Sequence, residues 1–403
     1  MLFNETISCV ILIFLFAETS SRQSLVSNAQ EISESGSISI RTPSDNYNES
    51  FSTVTNHAKN SQTMRSLEEY NELSSTQTND LQYSQPASSM RYDPKETVSN
   101  DMRIECSQVH TFPVKLLYRS NKTVSSCFRY VLLREDFCQK KYPEIFVIAI
   151  VHTGLRNFKR RSLIRKTWAN SEFYKKFKLA VVFAVGEDPQ HPSVQATLQR
   201  EWETYEDIVQ FNFTDNYHNM SLKAISWLNW AAKYCPNAKY ILKVDDDVHV
   251  NTFGIMRFFR KRKALESSPK AFYCFVWREA RVRRSSNDKW YVSYEEFNET
   301  VYPTFCSGRS YSLTMQAVQP LLDSVELTPF LWLDDVYITG LLAKTANVKH
   351  IEINSMYYES YDEGKKTFLD NPIVFVHLPR SLNKQYALWK KTLQLCKVKD
   401  CYN

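Results

Sequence analysis

Short apolar runs that alternate with helical patterns constrain the fold of this chain more than any other feature of its sequence. Four of these runs have the length and composition of buried strands: "EIFVIAIV" at 144–151, "LAVVFAV" at 179–185, "DIVQFNF" at 207–213 and "KYILKV" at 239–244. Helical patterns lie between them, such as "SLKAISWLNWAAKY" at 221–234, which Ser221 is expected to cap. This alternation predicts an α/β domain with a mostly parallel central sheet and helices on both faces.

The residues before this pattern divide into three segments. Residues 1–22 hold an apolar stretch shorter than the roughly 20 residues of a membrane span, so they are predicted to be a signal anchor or a signal peptide. Residues 23–100 are rich in Ser, Thr, Asn and Gln, which predicts a disordered stem. A connecting segment with cysteines is expected at 101–142, and the main folded domain at 143–403.

Charge follows the same division. The stem carries five Lys and Arg against ten Asp and Glu, and residues 1–22 carry one against two. Because the whole chain is +6, residues 101–403 carry +12. This excess favours an anionic ligand, and a solvated basic surface is the alternative. Glycine occurs only 7 times and no G-x-G is present, which excludes the Rossmann and Walker phosphate loops.

Sequons and cysteines indicate the secretory pathway. Beyond residue 22, N-x-S/T sequons begin at Asn48, Asn121, Asn212, Asn219 and Asn298, and they are usable only in the lumen. Eight of the nine cysteines lie beyond residue 100, and none forms a C-x-x-C pair, so disulfides are favoured over zinc.

An acidic triplet ends the fourth apolar run, in "KVDDDVHVN" at 243–251. Adjacent carboxylates repel by roughly 1 kcal/mol or more per pair, so a compensating cation is expected. In a D-x-D pattern after a strand, Asp245 and Asp247 face one ion while Asp246 points elsewhere. Hard ions such as Mg²⁺ or Mn²⁺ take one or two carboxylates and fill the shell with water and substrate phosphates. An exposed acidic turn is the alternative.

Four motifs resemble those of the β-1,3-glycosyltransferase family, which includes β-1,3-galactosyltransferases and β-1,3-N-acetylglucosaminyltransferases. They are "RRSLIRKTW" at 160–168, the stretch at 206–251 that ends in the acidic triplet, "KWYVS" with "YPTFCSGRSY", and "LDDVYITG" at 333–340. The motifs occur in the family's order over about residues 143–390. The resemblance implies a single nucleotide-diphosphosugar transferase domain of the GT-A type, held in the Golgi membrane as a type II protein with a lumenal catalytic domain.

The resemblance also implies roles for particular residues. Asp247 would bind Mn²⁺ directly, Asp245 would lie near the ion and the nucleotide, and His377 of "IVFVHLPR" would be a further metal ligand. A hydrogen-bonded histidine at a strand end is the alternative for His377. The general base that takes the acceptor proton would be Asp335, with Asp334 as second choice, because Asp334 stands where the family more often has Glu.

Several residues are candidates for contacts with the donor nucleotide. Arg161 and Arg165 follow the first strand and are expected to offer one phosphate contact between them, with a structural ion pair as the alternative. Lys223, Asp245 and Asp246 complete this predicted set.

The predicted function is an inverting, Mn²⁺-dependent transfer of galactose or an N-acetylhexosamine, with UDP-galactose as the first choice of donor. The acceptor would be a terminal sugar of a glycolipid or glycoprotein, and no nucleic acid is expected as a partner. Arg309 replaces a small residue in C-S-G-x-x-Y, so the donor sugar does not carry over from the family. The alternatives are a catalytically inactive, lectin-like relative and a metal-dependent hydrolase, although the chain has no H-E-x-x-H motif.

Overall fold

The computed structural model describes Cys106 and residues 110–264, 269–358, 374–379 and 381–399. The leader, the stem and the sequon at Asn48 lie outside these residues. In the part of the chain that is described, no helix combines the length and the apolar character needed to cross a membrane.

Strands form two sheets in the described residues. The strands are, in chain order, β1 Thr111–Leu117, β2 Thr123–Leu132, β3 Val147–His152, β4 Leu179–Glu187, β5 Ile208–Thr214, β6 Tyr240–Asp245, β7 Val248–Val250, β8 Ala271–Trp277, β9 Phe305–Thr314, β10 Lys349–Glu352, β11 Tyr357–Tyr358 and β12 Phe375–His377. The larger sheet has the order β1-β2-β5-β4-β3-β6-β9-β8-β10, and the smaller has the order β11-β12-β7.

The predicted α/β class is confirmed, with parallel pairing at the centre of the sheet. Strands β5, β4, β3 and β6 are parallel to their neighbours in this group, whereas β6 with β9 and β9 with β8 are antiparallel. Strand β3 is buried along its whole length. Ile148 and Ile150 pack into the core on one face, and Val147, Ala149 and Val151 into the core on the other. Burial on both faces explains why this strand is a continuous apolar run.

Helices cover the sheet on both faces. The α-helices in the described residues are α1 Phe158–Lys166, α2 Glu172–Phe177, α3 Pro192–Tyr205, α4 Met220–Tyr234, α5 Thr252–Ala264, α6 Met315–Asp323, α7 Asp334–Val336, α8 Ala343–Thr345 and α9 Leu382–Lys399. Two π-helical stretches occur as well, at Phe137–Lys141 and, between α7 and α8, at Tyr337–Leu342. Helix α4 begins one residue before the predicted cap, Ser221. The Ser221 hydroxyl instead donates to the carbonyl oxygen of Leu331 at 2.6 Å, which ties α4 to the loop before α7.

The segment predicted as a connector differs from expectation. Strands β1 and β2 form a hairpin, and β2 joins the edge of the central sheet by pairing antiparallel with β5. The ten-residue β2 is interrupted by Ser125 and Ser126 and is not a continuous apolar run, so it gives little strand signal. The folded domain therefore includes residues before 143.

Three disulfides confirm the interpretation of the cysteines. They join Cys106 to Cys127, Cys138 to Cys235, and Cys274 to Cys306. The second closes a loop of 97 residues and fixes the segment after the hairpin to the residue that follows α4. A bond that closes so long a loop stabilises the fold by about 4.7 kcal/mol in the chain-entropy model.

The sequon asparagines differ in their exposure to solvent. Asn219 is 5% exposed, and its side-chain amide donates to the carbonyl oxygen of Thr214 at 2.9 Å, so it is inaccessible in the folded domain. Asn121 and Asn298 are exposed.

Candidate active site

The acidic triplet lies at the carboxyl ends of two neighbouring parallel strands. Strand β6 ends at Asp245 and β3 ends at His152, and these two residues are register partners. The backbone N–H of Asp246 then donates to the carbonyl oxygen of His152 at 3.1 Å, which fixes the turn across the strand ends. Ligands of α/β sheets bind at such an edge.

Asp246 points away from its two acidic neighbours. Its Oδ2 accepts hydrogen bonds from the Thr153 hydroxyl at 2.6 Å and from the Asn157 amide at 2.8 Å, and Arg160 lies 3.6 Å from Oδ1. Asn157 is the residue before α1, so Asp246 occupies the place where the start of that helix favours an anion. These contacts hold the turn in place. They also occupy the Asp246 carboxylate, which is one of the predicted contacts of the nucleotide.

Asp247 faces His377. The short β12 pairs antiparallel with β7 and brings His377 Nε2 to 3.4 Å from Asp247 Oδ2. Burial raises the pKa of Asp247, but the hydrogen bond and charge of His377 and the charge of Arg160 outweigh burial and lower it overall. The carboxylate is therefore ionised at neutral pH. Octahedral ligands at about 2.1 Å from an ion lie about 3 Å apart, so this pair fits two positions of one cation.

The three predicted metal ligands do not form one cluster. No group of three or more His, Cys, Asp or Glu side chains suited to a metal ion occurs in the described residues. Asp247 and His377 come together, while Asp245 is engaged on its other side by Lys243. Two protein ligands are still enough for a Mg²⁺- or Mn²⁺-type site that takes its remaining ligands from water and phosphate.

Lys243 joins the acidic triplet to the second pair of acids. Its ammonium donates to Asp245 Oδ1 at 2.7 Å and to the carbonyl oxygen of Gly308, and it lies 3.8 Å from Asp334 Oδ2. The side chain is 1% exposed, so its charge requires these acidic partners. Burial raises the pKa of Asp245 to about 7, although Lys243 opposes the shift.

Asp335 lies against Gly308 at the same edge. A Cβ added at Gly308 would stand 3.1 Å from both Cβ and Oδ2 of Asp335, so the missing side chain makes room for this carboxylate. Burial raises the pKa of Asp335 to about 7, and the neighbouring charge of Asp334 adds to the shift. The backbone N–H of Val336 donates to Asp335 Oδ1 at 2.8 Å and leaves Oδ2 directed towards Gly308. A carboxyl with a pKa near neutrality suits a general base.

Asp334 lies beside a buried histidine. His152 Nε2 accepts a hydrogen bond from the Trp227 indole at 2.7 Å, so the proton of the neutral ring is on Nδ1, which is 3.8 Å from Asp334 Oδ2. Among the described residues, neither His152 Nδ1 nor Asp334 Oδ2 has a hydrogen-bond partner. Burial holds the pKa of His152 well below its usual range. A buried donor and a buried acceptor without partners call for an explanation, and a catalytic role is one of those available.

The predicted basic phosphate ligands are engaged elsewhere, which corrects that part of the expected site. Arg161 has no exposed side-chain surface and donates to Glu201 at 2.7 Å. Arg165 donates to Glu201 at 2.5 Å and to Asp207 at 2.7 Å. Both arginines therefore follow the structural alternative, because side chains so enclosed cannot reach a ligand without breaking their ion pairs.

Lys223, another predicted contact of the nucleotide, is also engaged by buried protein partners. It is 3% exposed on its side chain and donates to Asp215 Oδ1 at 2.5 Å and to the carbonyl oxygen of Thr153 at 3.2 Å. Arg309, the bulky residue of the C-S-G-x-x-Y motif, lines a narrow cavity together with Ser307, Tyr357 and His377.

Sequence reasoning did not find Lys243, His152 and Gly308 as parts of the site. Lys243 gave the clearest signal, because a lysine inside a strand as apolar as β6 must find buried acids. His152 ends a fully buried strand in the same way. Gly308 gave no signal of its own, because its need for space depends on Asp335, which is distant in sequence.

The chain matches the family model described as Galactosyltransferase over residues 159–354. "Beta-1,3-galactosyltransferase 1" of Mus musculus is 27% identical over 217 residues, which are 54% of this chain and 65% of that protein. "Lactosylceramide 1,3-N-acetyl-beta-D-glucosaminyltransferase" of Xenopus tropicalis is 31% identical over 229 residues, 55% of this chain and 59% of that protein. The matched part thus spans less than two thirds of each of these relatives.

Among solved structures, a "glycosyltransferase involved in the glycosylation of the major capsid of PBCV-1" aligns with 61% of this chain and 99% of its own, at 12% identity and a TM-score of 0.34. The sequence match covers the acidic triplet, the C-S-G segment and the Asp334–Asp335 pair, which the fold brings to one edge. Over this part, the chain is similar in sequence to the β-1,3-glycosyltransferase family.

Proposed function

We propose that this protein is an inverting, metal-dependent β-1,3-hexosyltransferase that moves galactose or an N-acetylhexosamine from a UDP-sugar to a terminal sugar of a glycolipid or glycoprotein. One observation carries the proposal: Lys243 lies between Asp245 and Asp334, so the metal-side and base-side acids form one site. The names of the similar proteins, which include a galactosyltransferase and an N-acetylglucosaminyltransferase, support this class of reaction.

The proposed chemistry is a single in-line displacement. Asp335 takes the proton of the acceptor hydroxyl while that oxygen attacks the anomeric carbon, and the bond from this carbon to UDP breaks on the opposite face. The carboxyl holds the proton easily because its pKa is raised to about 7 by burial and by Asp334. Lys243 holds Asp334 and Asp245 in position through its contacts with both.

Asp247 and His377 would hold Mn²⁺, with Asp245 nearby on the nucleotide side. The fit depends on the 3.4 Å separation of the two donor atoms and on an ionised Asp247. When bound, the ion supplies Lewis-acid stabilisation of the charge that develops on the leaving diphosphate.

We further propose a lumenal Golgi location for the catalytic domain, as a type II membrane protein. Three disulfides and the two exposed sequons, at Asn121 and Asn298, support a chain that folds in an oxidising compartment. A fluorescent fusion of the full chain, with its glycans tested for sensitivity to a glycosidase, checks this location. A cytosolic fusion without glycans would contradict it.

The test of the reaction is a panel of UDP-sugars with terminal-hexose acceptors, with and without Mn²⁺, followed by linkage analysis of the product. We expect a β-1,3 product that needs the metal, and a loss of at least about a hundredfold in Asp247→Ala. Asp323→Ala, which changes an exposed aspartate on α6, is the control and should keep full activity. Donor binding without transfer to any acceptor would favour the inactive, lectin-like alternative.

A further inference from the structure

A second cavity, of about 310 Å³, is lined in part by the loop that immediately precedes Asp334 and Asp335. It opens between the turn of the β1–β2 hairpin, the start of α4 and the loop before α7. Its walls are largely apolar and aromatic, and include Leu116, Tyr118, Leu222, Phe330 and Trp332. The volume is at the small end of the roughly 300–1,000 Å³ that is usual for ligand pockets.

The wall of this cavity is continuous with the segment that carries the base. Leu331 and Trp332 line the cavity, and Asp334 and Asp335 follow within three residues. The Ser221 hydroxyl donates to the carbonyl oxygen of Leu331 at 2.6 Å and holds this loop against α4. A ligand in the cavity would therefore contact the same loop that carries the proposed base.

A neighbouring tyrosine supports this proximity. Tyr217 packs edge-on against Trp332, with ring centres 5.8 Å apart. Burial raises the pKa of the Tyr217 hydroxyl, and the charges of Asp334 and Asp335 raise it further, which places this ring within electrostatic range of both acids. The next residue, His218, lines the cavity, and its ring centre lies 4.4 Å from that of Trp332.

The hairpin that closes the cavity is fixed to the loop before α7. The backbone N–H of Phe330 donates to the carbonyl oxygen of Leu117 at 2.6 Å, and the rings of Tyr118 and Phe330 lie 5.8 Å apart. The hairpin is outside the residues that match the family model, which begin at 159. The hairpin residues Tyr118, Arg119 and Ser120 line the cavity, so part of its wall comes from outside the family match.

The chemistry of the lining suits a sugar ring. Aromatic and aliphatic walls pack against the apolar face of a pyranose, whereas Arg119, His218, Glu295 and Glu296 supply charged and polar groups for its hydroxyls. A lipid chain has no hydroxyls for these polar groups and would leave them desolvated. The mixed lining therefore favours carbohydrate over a lipid tail.

We propose that this cavity is an acceptor subsite, which binds the sugar ring next to the one that receives the hexose. This inference rests on the proposed function, because it requires the site at Asp335 to act on a saccharide. The subsite would make a disaccharide acceptor better than the corresponding monosaccharide glycoside, through contacts made beyond the reacting sugar.

The test compares two variants of the same turn in the full-length protein. Ser120→Trp places a large side chain at the exposed mouth of the cavity, and Lys122→Trp places the same side chain two residues on, at an exposed position that does not line it. Both variants keep the Asn121-x-Thr123 sequon. The readouts are kcat and KM with a monosaccharide methyl glycoside, a disaccharide methyl glycoside and a long-chain alkyl monosaccharide.

We expect Ser120→Trp to raise KM for the disaccharide about tenfold, and to leave the methyl monosaccharide and donor hydrolysis unchanged. Lys122→Trp should match the wild type with every acceptor. Equal effects of Ser120→Trp on both saccharides, or none, would overturn the subsite and leave the proposed function intact. A selective loss with the alkyl acceptor would identify the occupant as lipid and overturn the inference. If the wild type transfers to no acceptor, the proposed function fails and the subsite fails with it.

Discussion

Two clusters of charged side chains in the domain satisfy their charges differently. In the arginine cluster of α1, Arg161 and Arg165 bind Glu201 and Asp207 at 2.5–2.7 Å. In the acidic edge, defined here by Asp245, Asp247, Asp334, Asp335 and Lys243, acids outnumber the buried lysine and Asp334 Oδ2 lacks a hydrogen bond among the described residues.

The pKa values differ in the same way. The hydrogen bonds and charges of the two arginines outweigh burial and lower the pKa of Glu201, whereas burial raises those of Asp245 and Asp335 to about 7. A charge cluster that is fully paired stabilises a fold, while an unbalanced one is retained where a ligand or a reaction needs it. The comparison supports a structural role for the first cluster and the proposed chemistry for the second.

The largest effect is expected from Asp335→Asn. If Asp335 is the base, transfer should fall about 10²- to 10⁴-fold, because the amide cannot take the acceptor proton. Stability at pH 8 should not fall, since the raised pKa means that the ionised carboxyl is unfavourable in the fold above about pH 7. Steady-state kinetics and thermal unfolding test both parts. If the variant unfolded at a lower temperature but retained its activity, Asp335 would serve stability and not chemistry.

The arginine cluster should show the opposite result. Arg161→Leu leaves the Glu201 charge buried with one partner fewer, so the free energy of unfolding should fall by about 3–5 kcal/mol. Chemical denaturation measures this change. The control is Arg156→Ala, which removes an exposed ion pair with Asp188 and should cost at most about 1 kcal/mol. If Arg161→Leu kept full stability but lost donor binding, Arg161 would be a phosphate ligand and not a structural residue.

A smaller effect is expected from Gly308→Ala. The added methyl group would stand 3.1 Å from the Asp335 carboxylate oxygen and displace it by a few tenths of an ångström. We expect transfer to fall about tenfold or more, because misplaced reacting groups lose rate steeply. Gly254→Ala is a matched control in α5, where the nearest side-chain atom would be 3.2 Å away on Val374. Equal activity of the two variants would show that Asp335 is not held against Gly308 during the reaction.

The smallest effect is on the pH profile. Transfer should fall about tenfold per pH unit below about pH 7, because the base must be ionised and its pKa is about 7. Asp334→Asn removes the neighbouring charge that helps to raise this pKa, so the profile should move to lower pH. Asp245 and Lys243 also act on Asp335, with opposite signs, and they remain in this variant. A loss of transfer at every pH as large as that expected for Asp335→Asn would show that Asp334 itself is the base.

Much of the fold follows from the sequence. The central strands β3 to β6 are buried on both faces, so their apolar runs are continuous and are recognised without any tertiary information. The β1–β2 hairpin was less evident, because β2 alternates between buried and exposed residues and its place at the sheet edge depends on a distant partner, β5.

For the site, the sequence determined which acids are present and that Asp245 and Asp247 end a buried strand. The tertiary structure decided what each charge does. Asp247 meets His377 only because β12 pairs with β7, and Asp335 lies at the edge only because Gly308 leaves room for it. Arg161 and Arg165 look like phosphate ligands in the sequence, but in the fold both are paired with Glu201 of α3. The physical reason is that a charged side chain is committed by its nearest partners, and these come from segments that are far apart in the chain.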